Sequence, residues 1–374
     1  MFNSRKSFVY DGVSLLEDYG YMLVEFEEKT DVELSLARTL DKGTVNKYKA
    51  QYDVYGVTYD SELVFPISIM KNPCIYTSRE ELKFTRDEIR QLAAWLTSKQ
   101  VPAWLYFEDE EFNADEVRYK GLFTNIEPFV AGDIVGITLT FTCTSSYAYT
   151  HEITQEYELD SSGTTQIFQT VINNTSDEWE EYVYPTIRIY PHHETVDKGD
   201  MVIINMSDAS VIDNGTLGSG TEEQSTMDVL KETIENFAST YGYTLEYETD
   251  DNDQVITRGD DHAVFLTLTE HTGEVHKCMA YYLADLSYYL VEGGFMYFTT
   301  YDELPVNIDC QKVKIYDDIG RMVLYSTMGI DDVDSFYWLR LKHGANNLLF
   351  LEKGASTVQV KYSEPRKVGE LYED

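Results

Sequence analysis

The residues able to do chemistry are few, and their spacing suits structure better than catalysis. His192 and His193 adjoin in Tyr-Pro-His-His-Glu-Thr. Neighbouring residues of an extended chain point to opposite faces, so the pair lacks the shared side and third ligand that a metal needs. His271 and His276 flank Gly273 at the expected start of a helix, and no metal is expected there. Asp250-Asp-Asn-Asp253 has carboxylates for calcium but neither the central glycine nor the closing glutamate of a calcium loop, so it reads as a hairpin turn. Glu108 to Glu111, and Glu178, Glu180 and Glu181, could be drawn as the paired carboxylates of glycoside cleavage, but acidic runs on loops are ordinarily solvated. Gly218-Ser219-Gly220 lacks the Gly-x-Ser-x-Gly spacing of a nucleophile elbow and has no strand leading into it. The expectation is a protein that is not an enzyme, with no cofactor, no metal and no catalytic residue.

Bulk composition narrows the partners. Against 29 Lys and Arg stand 66 Asp and Glu, a net charge of −37, which repels nucleic acid and anionic membrane surfaces. No sequence-specific nucleic-acid binding is expected, and no apolar run reaches the roughly 18 residues of a membrane span. Cys74, Cys143, Cys278 and Cys310 are scattered without a Cys-x-x-Cys pair, as in chains kept reduced in a cytoplasm. The opening Met-Phe-Asn-Ser-Arg-Lys-Ser-Phe has no apolar secretory segment, so the sequons at Asn174, Asn205 and Asn214 carry no weight. The 30 tyrosines and 17 phenylalanines among 374 residues suit half-buried pleated surfaces and subunit interfaces. A chain of this length exceeds one core.

The elements follow from periodicity. Thr85 and Glu88 form a capping box, and Ile89, Leu92, Ala93 and Leu96 fall on one face of the ensuing helix with Trp95 at its border. Pro102 ends it. Burying that face contributes roughly 5–8 kcal/mol at about 1.5–3 kcal/mol per large side chain. Strand Leu105-Tyr-Phe107, an acidic turn and the alternating strand Ile137–Cys143 follow. Earlier, Phe8-Val-Tyr10 and Tyr21–Phe26 are strands punctuated by Asp11-Gly12 and Tyr19-Gly20. Leu34 to Met70 is a long aromatic hairpin. Tyr48, Tyr52, Tyr55 and Tyr59 are its candidate subunit-interface residues, because so exposed an edge invites aggregation unless paired in trans.

From His151 a second β unit begins, with short strands at Ile167-Phe168, Val171-Ile172, Tyr182–Tyr184 and Pro185–Tyr190. Gly215–Thr221 reads as a flexible linker. Ser225 or Thr226 then caps a helix carrying Met227, Leu230, Ile234, Phe237 and Tyr241 on one stripe and ending at Gly242. Strands at Tyr243–Tyr247, Val255-Ile256 and Ala263–Leu268 follow. A second helix is expected from Val275 to Leu290, with Met279, Leu283, Leu286 and Leu290 aligned. Strands resume at Phe295–Phe298, Pro305–Asp309, Lys312–Tyr316, Phe336–Leu339 and Thr357–Tyr362, with a turn at Gly344-Ala-Asn346. These features alone describe an acidic, mostly-β assembly protein.

A resemblance sharpens this. The run RDEIRQLAAWL…AWLYFED…VRYKGLFTNIEPFVAGDIVGITLTFTC resembles the distal tail protein (Dit) family of long-tailed, siphovirus phages. So does the opening of Phe8, Tyr10, Asp11, Gly12, Tyr19 and Gly20. Further on, VNID…VKIYD…FYWLRLKHGAN…VQVKY resembles the galectin-like second domain of that family, including the Leu341, Gly344 and Asn346 element before the closing strands. Ser145-Ser146-Tyr147 departs from the family's frequent Asp-Pro-Tyr.

The resemblance implies a mainly β chain. Residues 1–150 would be a ring-forming domain built as a β-sandwich with one α-helix and a long β-hairpin. Residues 151–206 and 295–374 would be a galectin-like β-sandwich, and 207–294 a small α+β insertion. It implies a structural hub whose homohexameric ring joins the tail tube to the baseplate and host-recognition apparatus at the distal end of the virion tail. Expected partners are copies of itself, the tail tube protein, the tape measure protein, the tail-associated hub protein and receptor-binding proteins. The chain would be synthesised in the bacterial host cytoplasm. The alternative is a carbohydrate-binding adhesin of the tail tip, acting through the insertion or the galectin-like domain.

Overall fold

A computed structural model describes residues 5–24, 38–42, 54–59, 62–109, 111, 113–159, 166–191, 199–220, 224–259, 261–299, 304–330, 333–334, 336–353 and 355–367. The chain divides into two compact units, Met1–His151 with Glu364–Asp374, and Glu152–Ser363.

The first unit contains β1 (Ser7–Tyr10), β2 (Val13–Ser14), β3 (Tyr21–Leu23), β4 (Arg38–Lys42), β5 (Val54–Tyr59), β6 (Val64–Lys71), β7 (Ala103–Glu108), β8 (Ala114–Ala131), β9 (Asp133–Cys143) and β10 (Ala148–Thr150), with helices α1 (Leu15–Tyr19) and α2 (Arg86–Thr97). Its main sheet runs β2-β1-β7-β8-β9-β6-β3, with β10 on β8. The sheet curls until its ends approach: the Leu23 amide donates to the Lys6 carbonyl at 2.9 Å. Inside the curl, alternate residues of β1, β6, β8 and β9 meet as an aromatic cluster. Tyr10 lies edge-on to Phe123 at 5.0 Å, and Phe65 edge-on to Tyr119 at 5.1 Å.

Helix α2 packs on this core. Thr85 and Glu88 make the capping box in both directions, and Leu92 and Leu96 are buried. Trp95 is stacked on Tyr19 at 4.8 Å and on Phe8 at 5.8 Å, so the residue at the stripe's border joins the helix to the first strands. Each such stacked pair adds about 0.5–1.5 kcal/mol beyond its buried area.

The second unit contains β11 (Ile153–Glu158), β12 (Gln166–Asn174), β13 (Thr186–Pro191), β14 (Asp200–Asn205), β15 (Ser210–Thr216), α3 (Thr226–Tyr241), β16 (Thr244–Tyr247), β17 (Thr257–Arg258), β18 (Ala263–Thr269), β19 (Val275–Tyr282), β20 (Ser287–Glu292), β21 (Phe295–Thr299), β22 (Val306–Asp309), β23 (Lys314–Asp317), β24 (Gly344–Lys353) and β25 (Ala355–Tyr362). Two antiparallel sheets, β11-β25-β13-β22-β23 and β12-β24-β14-β21, enclose a common core that includes Ile187, Val358 and Val360 from one and Met201, Phe298 and Phe350 from the other. That is a β-sandwich.

A third sheet, β15-β20-β19-β18-β16 with β17 on β18, lies over the outer face of the second. Val202, Ile204, Leu349 and Leu351 meet Met279, Tyr281 and Val291 there. The third sheet's other face carries α3, whose Met227, Leu230, Ile234 and Ala238 pack on Val264, Leu266 and Leu290. Ser225 caps α3 and Gly242 closes it in the left-handed conformation. Beyond the second unit, β26 (Pro365–Arg366) belongs to the first unit and pairs with β10. The protein is mainly β.

Several expectations fail here. The segment expected as a helix from Val275 to Leu290 is the β19–β20 hairpin, in register Met279↔Val291 and Tyr281↔Tyr289. Its turn is made by Asp285, whose carboxylate accepts from the Ser287 amide at 3.0 Å, and by Leu286 at φ +64°. The helical spacing of the four apolar residues was coincidental: Met279 faces the sandwich and Leu290 faces α3. The supposed linker starts as strand, since Gly215 and Thr216 pair with Tyr288 and Ser287. Phe336–Leu339 is irregular. Its side chains settle the conformation: Phe336 and Trp338 lie against the sandwich core, and the Tyr337 hydroxyl donates to Asp208 at 2.8 Å. Gly344–Asn346, expected as a turn, begins β24.

Candidate assembly interface

Of the four candidate interface tyrosines, Tyr48 and Tyr52 lie outside the described residues, as do His192 and His193. Tyr59 ends β5 opposite Arg38. Tyr55 is the informative one. Asp41 pairs with Gly56 and Lys42 with Val54, so Tyr55 is the extra residue of a β-bulge, a device that re-aims a side chain. It is 71% exposed, and Leu40 on the partner strand is 46% exposed. Among the described residues β4 and β5 pair only with each other, so each presents an outer edge of the kind that pairs with another strand.

A second projection was not anticipated as an interface. The β8–β9 hairpin runs past its neighbours to a tip at Phe129 and Val130, exposed by 39% and 61%, with Gly132 turning it at φ +83°. The run Glu-Pro-Phe-Val-Ala-Gly-Asp carried the signal: two large apolar residues directly before a Gly-Asp turn, where a strand has left the core. The β9 side of this tip is held by Lys83, paired with Asp133 at 2.9 Å, and by the Phe84 amide donating to the Ile134 carbonyl at 2.9 Å, so Phe129 and Val130 are presented from an anchored turn.

A buried ion pair ties β6 to α2. The Lys71 ammonium, 3% exposed, meets the Glu88 carboxylate at 2.7 Å and donates to the Glu81 carbonyl at 2.9 Å. Glu88 also accepts from the Thr85 amide at 2.7 Å and hydroxyl at 2.9 Å. Burial pushes the Glu88 carboxyl up, but the bonds from Lys71 and Thr85 outweigh it and hold the group below its usual value. The capping glutamate is therefore also a counter-ion.

The other acidic candidates disperse. Glu108 is buried beneath Ser14, whose hydroxyl reaches it at 3.3 Å. Asp109 accepts from the amides of Glu111 at 2.8 Å and Asn113 at 2.9 Å. Glu180 and Glu181 are exposed on a loop. Asp250 serves its turn, accepting from the Asn252 amide at 2.9 Å and the Gln254 amide at 2.8 Å. The Leu341, Gly344 and Asn346 element is structural. Leu341 and Asn346 are fully buried, and the Asn346 amide bridges the turn by donating to the Lys342 carbonyl at 2.8 Å while accepting from the Lys342 amide at 2.9 Å.

Residues 3–145 match the family model described as the phage tail protein N-terminal domain. No curated protein matches the chain. Among solved structures, the Dit (gp 19.1) protein of phage SPP1, described as a paradigm of the hub adsorption apparatus in phages infecting Gram-positive bacteria, aligns at a TM-score of 0.46 and 13% identity, over 96% of this chain and 98% of that one. No helix among the described residues is long and apolar enough to cross a membrane. Across its first unit, the part that bears both projecting hairpins, the chain is similar to phage tail proteins.

Proposed function

We propose that the protein is a structural hub of the distal tail, in which copies of residues 1–150 close a hexameric ring between the tail tube and the host-recognition apparatus. Residues 151–206 and 295–374 would be the outward docking sandwich, and 207–294 its accessory layer. The observation that carries this reading is the bulged β4–β5 hairpin, which pairs with no further strand among the described residues and turns Tyr55 outward, in the unit similar to phage tail proteins. An open two-strand edge is completed by pairing in trans. Neighbours in the virion would be the tail tube, tape measure and tail-associated hub proteins.

Negative-stain imaging and sedimentation of the purified full chain test it. Closed annuli are expected, and Tyr55→Asp is expected to shift the population to monomers while leaving the far-ultraviolet spectrum unchanged. A wild-type chain that stays monomeric at high concentration removes the proposal.

A second reading, glycan adhesion, has one observation in its favour. An open cleft of about 470 Å³ between the sandwich and the third sheet is lined by Gln169, Thr170, Asn347, Tyr281 and Tyr289. The half-buried ring of Tyr289, backed by buried Tyr281 and set beside amide and hydroxyl groups, suits a sugar ring. Host cell-wall polysaccharide retained by the wild type but not by Tyr289→Ala would favour it, and no retention would dismiss it.

A further inference from the structure

The turn between β18 and β19 brings Glu270, Glu274 and His276 together, with one ligand atom from each within 4.8 Å of the others. The turn is tightly built. The Glu270 amide donates to the Glu274 carbonyl at 2.8 Å and the Gly273 amide to the Glu270 carbonyl at 2.9 Å, with Gly273 at φ +88°.

The imidazole is oriented from the next strand. Glu292 of β20 holds His276 Nδ1 at 3.1 Å. That fixes the tautomer and aims Nε2 at the turn, where it lies 3.7 Å from the Glu270 carboxylate, beyond hydrogen-bond length. Nε2 is shielded from solvent and makes no hydrogen bond. Tyr243 meets the ring edge-on at 6.3 Å.

We infer that Glu270, Glu274 and His276 form a binding site for a first-row divalent cation of the zinc class, with Glu292 as the outer carboxylate that positions the imidazole. A carboxylate on one ring nitrogen with the other directed at the cation is the usual arrangement of a histidine ligand. Ligand atoms around tetrahedral zinc lie about 3.3–3.6 Å apart, given bonds of about 2.0–2.2 Å. The exposed side chain of Glu274 closes the remaining gap by rotation. Three carboxylates surround one imidazole here, and a dication offsets their repulsion without burying a further charge. An imidazole in the set favours zinc over calcium or magnesium, which take oxygen ligands. Bound cation would clamp the hairpin end to itself.

The test uses the full chain without a histidine tag, titrated calorimetrically with zinc at about pH 7.5, with the proton release that accompanies binding to a histidine ligand included in the fit. Excess calcium is included to suppress diffuse binding to the acidic surface. One tight zinc per chain is expected, weakened about tenfold or more in Glu274→Gln and in His276→Gln, as for lost ligands or supporting groups. Glu274 is exposed, so its substitution leaves the fold intact and keeps the test decisive even if His276→Gln perturbs the hairpin. Absence of tight zinc, or tight zinc that survives both substitutions, overturns the site and leaves an imidazolium held among carboxylates. Neither outcome touches ring formation, which resides in other residues.

Discussion

At the scale of the residue, Glu88 shows how one side chain serves two structural purposes. It completes a helix cap and neutralises a lysine that is 3% exposed. Glu88→Gln keeps an acceptor for the Thr85 amide but leaves Lys71 buried without its counter-charge. Breaking such a pair costs about 3–5 kcal/mol when both partners are buried. Glu88 is 26% exposed, so a loss of about 2–3 kcal/mol is expected from denaturant titration of the two proteins. The pH dependence has a definite sign. The folded-state carboxyl titrates below its unfolded value of about 4.3, so its contribution is present above that pH and is lost as pH falls through the lower folded value. The stability gap between wild type and Glu88→Gln should therefore be constant near neutrality and narrow below about pH 4. A gap that does not change on acidification would mean that the pair is not what holds β6 to α2. The capping role was legible from Thr-x-x-Glu. The ion pair was not, because Lys71 and Glu88 are joined only by the fold.

At the scale of the element, the runs Met201-Val-Ile-Ile204 and Leu348-Leu-Phe-Leu351 explain where pattern reading succeeded and where it stopped. A strand covered on one face alternates, whereas one covered on both is continuously apolar. β14 and β24 are covered on both faces, by the sandwich core and by the third sheet. Neither run alternates, so periodicity does not mark it as a strand. The α3 stripe has a clear cap and the closing strand at Val358 has one apolar face, and both are legible. The helix expected at Val275–Leu290 failed for a related reason: a strand pair apolar on both faces can reproduce a helical spacing by chance. The double burial has a measurable consequence. Leu351 is fully buried in the layer between the second and third sheets, so Leu351→Ala should cost about 2–5 kcal/mol, as cavity-forming substitutions do. Hydrogen exchange should then rise across β14, β19 and β24 together. Faster exchange confined to β24 would show that the third sheet is energetically separate from the sandwich it covers.

At the scale of the whole molecule, the candidate interface was legible only as a tendency. Tyrosine abundance and a long hairpin pattern single out the stretch now proposed, yet the bulge that turns Tyr55 outward depends on a register that composition does not encode. The exposure of the β8–β9 tip is not legible, because its apolar residues stand in a segment that otherwise reads as ordinary strand. The net charge of −37 bears directly on assembly. Each copy added to a ring approaches others of the same sign, and that repulsion extends roughly one Debye length, about 30 Å at 0.01 M salt but only about 8 Å at 0.15 M. The attractive contacts proposed at Tyr55, Leu40 and the hairpin edges are apolar and backbone hydrogen-bonding in kind, so salt screens them little. Association should therefore strengthen as salt rises. Sedimentation of one protein concentration across that range should show mostly single copies at the low end and rings at the high end. The usual expectation for complementary charged interfaces is the reverse. Rings that dissociate on adding salt would place the assembly contacts on ion pairs and away from the two projecting hairpins.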